Sequence, residues 1–114
     1  MTMLRDVVAE GTGTLAQLPG YTIAGKTGTA QKASPHGGYS KTKYVASFVG
    51  IAPASNPRLV VLVEIDEPHN LIWGGSVAAP AFQQIARFDL QYLEVSPDDP
   101  KSLVSARATA SAGN

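Results

Sequence analysis

The sequence has no cysteine, a single tryptophan, and no acidic residue anywhere between Gly11 and Val63. Without cysteine there is no disulfide framework and no thiolate metal site, and the redox compartment is left open. No apolar run approaches the roughly 20 residues that span a bilayer, and no signal-peptide pattern follows Met1, so no membrane segment is expected. Nine basic and nine acidic residues leave zero net charge and a pI near 6.7. That balance argues against a nucleic-acid partner, which is usually met by a basic stripe. The two histidines, His36 and His69, have no second ligand at metal spacing, so neither a metal nor a cofactor is expected. With 114 residues and 44% apolar content, the chain is bounded to one ordinary domain or less.

What is present is unevenly placed. Lys26, Lys32, Lys41, Lys43 and Arg58 fall inside the acid-free window, and all nine acids fall outside it. A surface of that bias would steer carboxylates toward it, less strongly as salt rises. For Lys32, Lys41 and Lys43 the simpler expectation is decoration of a solvated loop.

Met3, Leu4, Val7 and Val8 recur at helical spacing and predict an amphipathic first helix, ended by Gly11 and Gly13. Residues 14–20 read as a connection closed by Pro19-Gly20. A first strand is expected from Tyr21 through Ala30 and a mobile polar loop over 31–43. A second strand follows over 44–52, halted by Pro53, and a third over the β-branched run 59–65. Short connections favour an antiparallel meander, and the last two strands read as covered on both faces, the third as central. Asp66 and Glu67, as strand neighbours, are expected to point apart. Ser76 is the expected cap of a helix through Phe82, Ile85, Ala86, Leu90 and Leu93, with Pro80 in its first turn. Trp73 and Tyr92 read as packing residues. Residues 96–114, small and polar at their end, are expected to form a disordered tail after a domain portion over 1–95. The fold class expected is therefore α+β, a three-stranded antiparallel sheet with flanking helices. Nothing in the chain pairs the sheet's second edge, so the sequence looks incomplete and prone to aggregate alone.

The centre of this arrangement is Gly25-Lys26-Thr27-Gly28-Thr29-Ala30, an extended run whose glycines lay its backbone open. Lys-Thr-Gly is one of three motifs shared by penicillin-binding proteins and serine β-lactamases. The match extends through Gly11-Thr12-Gly13, Gly20-Tyr21, Gly25 to Gln31, Ser47-Phe48-Val49-Gly50, Ala52-Pro53, Asp66-Glu67-Pro68, Gly74-Gly75, Ala79-Pro80, Phe82 and Pro97-Asp98. In that order and spacing the chain resembles the C-terminal part of the transpeptidase domain of a class B, division-type penicillin-binding protein, over roughly Met3 to Asp98. The fold implied is an incomplete portion of the penicillin-binding protein and serine β-lactamase fold.

The resemblance implies a D,D-transpeptidase that cross-links peptidoglycan through a serine acyl-enzyme, with stem peptides ending in D-Ala-D-Ala and β-lactams as partners. It implies that Lys26 supplies positive charge near the substrate carboxylate and takes part in proton handling. Thr27 and Thr29 would offer hydroxyls to that carboxylate, the Thr29 N–H would be one oxyanion donor, and Gly28 would keep the strand close to the ligand. Strict alternation sends Lys26 and Gly28 to one face and Thr27 and Thr29 to the other, so the roles agree only if the strand is an outer one, bound along its edge. Ser40-Lys41-Thr42-Lys43 matches Ser-x-x-Lys in letters, but it follows the Lys-Thr-Gly segment and lies in a polar stretch, so Ser40 is refused as nucleophile. No Ser-x-Asn occurs. Alone, the chain is expected to be inactive and to need the N-terminal part of the same domain. The parent is expected in the cell envelope, anchored in the membrane with this domain outside it. Two other readings remain open: a non-catalytic peptide-binding module, and a fragment of a D,D-carboxypeptidase or β-lactamase.

Overall fold

The structure, a computed structural model, describes residues 2–9, 11, 13–69 and 72–105. In chain order it contains α1 (Thr2–Ala9), a 3-10 turn (Thr14–Ala16), β1 (Ala24–Ala33), β2 (Tyr39–Ala52), β3 (Leu59–Asp66), the one-turn α2 (Gly74–Val77) and α3 (Ala79–Tyr92). Residues 100–105 are also helical.

The strands make the expected antiparallel meander, in the order β1-β2-β3. Register decides which side chains meet. Thr27, Phe48 and Val63 stand in one row and Lys26, Val49 and Leu62 in the next, so the two rows occupy opposite faces. On the Phe48 face lies the core, where Phe48 and Phe82 of α3 are fully buried with ring centroids 5.0 Å apart and planes tilted by 59°. Gly50 lets α3 approach this closely, because a Cβ there would lie 2.3 Å from the Phe82 ring. Val8 of α1 and Leu18, Ile23, Ala52, Ala86 and Leu90 complete the same cluster. Each large apolar side chain buried in this way contributes about 1.5–3 kcal/mol.

The helices begin and end for identifiable reasons. After α1, the N–H of Gly11 reaches the carbonyls of Asp6 and Val7, both at 3.1 Å, and that of Gly13 reaches Val7 at 3.0 Å. Pro80 sits in the first turn of α3, where its missing N–H costs nothing. Ser76 is not the cap expected of it. It lies within α2, whose N-cap is Trp73, and α3 follows after Ala78 with no side-chain cap.

β1 begins at Ala24 and not at Tyr21 as expected, and the sheet differs from the sequence expectation in three further ways. The polar stretch 31–43 is mostly strand: β1 continues to Ala33, β2 begins at Tyr39, and residues 34–38 make the reversal. There Ser34 and Gly38 exchange the closing hydrogen bond (Ser34 N to Gly38 O, 2.9 Å), and Gly37 and Gly38 hold positive φ angles of 97° and 69°. Second, among the described residues β3 is an outer strand, where a central one was expected, and its exposure alternates along its length. Val60 and Leu62 remain 65% and 60% exposed, so the apolar run marks two apolar faces of which the described residues cover one. Third, Asp66 and Glu67 do not diverge. Glu67 adopts φ 53°, leaving the strand's alternation, and both carboxylates meet Lys32 Nζ, at 2.9 and 3.1 Å.

The composition change at residue 96 is not a structural boundary over residues 96–105. Asp98, Asp99 and Ser102 bond back to residues 20–22 and to Ser55, and only 106–114 of the expected tail lie outside the described residues.

Candidate functional site

Of the four sequence-derived site residues, Thr27 and Thr29 lie on the face where β1 meets the helical layer, and Lys26 and Gly28 lie on the opposite face. β1 has no strand on its outer side among the described residues, so the outer edge that the motif requires is present. Thr27 and Thr29 are half-buried and line a cleft of 340 Å³ with Gly11, Thr14 and Leu15 on one bank and Trp73, Gly74, Gly75 and Ser76 on the other. Gly74 donates its N–H to Thr29 Oγ1 at 3.3 Å, which ties α2 to the strand. Gly28 is half-buried between the two threonines, and Ser47 Oγ on β2 donates to its carbonyl at 3.4 Å.

Lys26 stands apart from this cleft. It is exposed, in the row of Val49 and Leu62, and its Nζ donates to the Thr27 carbonyl at 2.9 Å. The alternation noted in the sequence is therefore real. A ligand touching both the ammonium and the threonine hydroxyls has to lie along the strand's edge and not over either face.

A close backbone approach explains Gly74, and a neighbouring hydroxyl crowds Gly28. A Cβ on Gly74 would lie 2.1 Å from the Ser47 carbonyl oxygen and 2.8 Å from that of Gly28, so only glycine lets α2 sit on the sheet here. A Cβ on Gly28 would lie 2.7 Å from Ser47 Oγ.

Trp73 corrects the sequence reading. It is 63% exposed and forms a wall of the cleft, where packing was expected; Tyr92, also read as packing, is 78% exposed. The available signal was its position beside Gly74-Gly75, a pair already part of the resemblance. Ser40 lies on β2, where a loop was expected, accepts from the N–H groups of Thr42 and Lys43 at 3.2 and 3.1 Å, and opens no helix. A larger groove of 710 Å³, bordered by Arg5, Val8, Leu18, Tyr21, Gln83 and Asp99, contains none of the residues from Lys26 to Thr29.

The described residues thus form an antiparallel sheet with its Lys-Thr-Gly-Thr strand at one edge, backed by α3. Residues 1–87 match the penicillin binding protein transpeptidase domain, and the chain belongs to that family. It is 50% identical over 95 residues to stage V sporulation protein D of Bacillus subtilis, an alignment covering 82% of this chain and 15% of that protein. Among solved structures, the transpeptidase domain of penicillin-binding protein 3 from Burkholderia pseudomallei superposes with a TM-score of 0.74 at 47% identity, over 85% of this chain and 30% of that one. Penicillin-binding protein 3 of Mycobacterium tuberculosis, solved with ampicillin, gives 0.73 at 43% identity, over 89% and 25%. The chain is thus a partial transpeptidase domain, spanning a minor share of each relative. No helix among the described residues is long and apolar enough to cross a membrane.

Proposed function

We propose that this chain carries the substrate-binding strand of a peptidoglycan D,D-transpeptidase, and that β1 receives the D-Ala-D-Ala end of a stem peptide or the β-lactam that imitates it. One observation carries the reading: among the described residues the Lys-Thr-Gly-Thr segment is on the outer strand of the sheet, bordered by the Trp73–Ser76 wall. A peptide laid antiparallel along that edge finds main-chain donors and acceptors, the hydroxyls of Thr27 and Thr29 for its terminal carboxylate, and the Lys26 charge at the strand's other face.

In the reaction proposed for the whole protein, a serine supplied from outside the segment 26–29 attacks the penultimate D-Ala carbonyl. The carbonyl oxygen gains the negative charge, and the Thr29 N–H is the proposed donor to it. Collapse expels D-alanine as its amine, which takes a proton, and leaves an ester to the serine. An amine of a neighbouring stem peptide then displaces the serine and forms the cross-link. Loss of one oxyanion donor costs about two to three orders of magnitude in rate in comparable sites. The parent is proposed to act in cell-wall synthesis during division, anchored to the membrane with this domain outside the cytoplasm.

The test is an amide titration of this chain by NMR with a blocked peptide ending in D-Ala-D-Ala. Shifts centred on residues 25–30, absent with an L-Ala-L-Ala peptide, are expected. Equal responses to both peptides, or none at β1, would overturn the assignment. Fluorescent penicillin should leave no covalent adduct on this chain, and an adduct on Ser40 would reverse the exclusion of that residue.

A further inference from the structure

After α3 the chain turns back across the connection that leads into β1. Tyr21 Oη donates to the Val95 carbonyl at 2.6 Å, Gly20 N–H to Ser102 Oγ at 2.8 Å, and Asp99 N–H to the Gly20 carbonyl at 3.0 Å. At the centre is Asp98. Its carboxylate accepts the Thr22 N–H at 2.8 Å, the Thr22 hydroxyl, and the Ser55 hydroxyl at 2.5 Å. Thr22 Oγ1 in turn accepts from Ala54 N–H at 3.0 Å and Ser55 N–H at 3.3 Å, and the Thr22 carbonyl accepts from Ala54 N–H at 2.8 Å. One carboxylate thus joins the approach to β1, the β2–β3 turn and the returning C-terminal segment, and it lies beyond residues 1–87 that match the family.

The knot sits where the sheet most needs one. β1 is paired on one side only and carries two glycines, so its own hydrogen bonds fix it weakly. A ligand that adds along such an edge binds best when the strand is already held straight. Thr22 is two residues ahead of β1 and four ahead of Lys26 in the chain.

We infer that Asp98 is a positioning residue for β1: as a carboxylate it pins Thr22 and thereby holds the strand in the register that presents Lys26 to Thr29 along the open edge. The functional meaning rests on the reading of β1 as the substrate strand; the test below uses no ligand, so failure of one does not imply failure of the other. Partial burial works to raise the Asp98 pKa, and the hydroxyls of Ser55 and Thr22 with the Thr22 N–H outweigh it, holding the carboxyl below the usual aspartate range. No charged neighbour is among the groups that shift it. A depressed value means the pinning is complete above the unfolded-state pKa and is lost as pH falls through the folded one.

The experiment compares amide protection factors in the 114-residue chain and its Asp98→Asn variant. Loss of hydrogen bonds to a charged acceptor should speed exchange about tenfold at the β1 amides of residues 24–28 that pair with β2. Val61 and Val63 on β3 should be unchanged. On acidification below the ordinary aspartate range the wild-type chain should lose the same β1 protection, and Asp98→Asn should show no such step. Ser55→Ala, which removes one hydrogen bond and keeps the charge, should give a smaller change at the same amides; it serves if circular dichroism shows Asp98→Asn unfolded. A uniform change over all three strands, no change, or an acid response retained without Asp98 would overturn the inference.

Discussion

At the scale of single residues, Gly74 sits on the backbone of Gly28 and Ser47, whereas the Cβ position of Gly28 lies on the sheet's other face beside Ser47 Oγ, so the two glycines differ in what surrounds them. The atoms a Gly74 Cβ would strike are backbone oxygens of Ser47 and Gly28, fixed by the β1–β2 ladder. Gly74→Ala can be relieved only by lifting α2, which also breaks the Gly74 to Thr29 hydrogen bond. Overpacking of this kind costs about 1–3 kcal/mol, and the rigid neighbours place Gly74→Ala at the upper end. The atom a Gly28 Cβ would strike is a hydroxyl that can rotate away, so Gly28→Ala should cost less. Urea midpoints of the two variants measure the difference, and the reverse order would show that the junction yields more easily than its geometry says. Trp73 is the single tryptophan, so its acrylamide quenching reports on α2 directly: Gly74→Ala should change it and Gly28→Ala should change it less.

At the scale of elements, the far end of the sheet is held by charge. Lys32 on β1 reaches across β2 to Asp66 and Glu67, with Lys43 3.9 Å from Glu67. The N–H of Glu67 bonds to the Tyr44 carbonyl at 2.8 Å, which together with the lysines holds that residue at its positive φ. Hydrogen bonds that Lys32 donates, to Asp66 first and then to Glu67, raise its pKa. A raised lysine value gives a contribution that is full below the unfolded pKa and disappears as pH climbs through the folded one, above about 10.4. Lys32→Gln should therefore loosen the Glu67 amide at neutral pH and remove its alkaline response, and added salt should weaken the wild-type protection. Protection of Glu67 that ignores both the variant and salt would mean the turn is held by the Tyr44 hydrogen bond alone.

The same elements show what a sequence can reveal. The β1–β2–β3 meander and α3 were legible because each apolar run has one period and one short connection. The 31–43 stretch was not, since a polar hairpin arm and a polar loop have the same composition, and only the cross-strand partners distinguish them. Asp66 and Glu67 converge because a single residue leaves strand geometry, which no periodicity encodes. In the candidate site, the Lys26–Thr29 run could be read directly, as a contiguous motif. Trp73 could not, because its role depends on a helix brought against β1 from 44 residues further along.

At the scale of the whole molecule, the sheet has one covered face and one bare one, and two edges, on β1 and on β3, with no strand beside either among the described residues. Val49, Val60 and Leu62 lie on the bare face, 37%, 65% and 60% exposed. An apolar strand with a free edge pairs readily with other chains. In the proposed reading another part of the transpeptidase domain covers this surface; in the 114-residue chain by itself, other copies are the available cover. Sedimentation should show an average mass that rises with concentration. Leu62→Lys, which puts a charge on the bare face and leaves the Phe48–Phe82 core untouched, should shift the chain toward monomer with its circular dichroism unchanged. Phe82→Ala should act in the opposite sense: removing a fully buried ring from between α3 and the sheet costs about 3–5 kcal/mol, and the loosened helix should increase association. A monodisperse monomer at every concentration, unfolding in one sharp transition, would mean that the bare face and the β3 edge are stable in water as they stand.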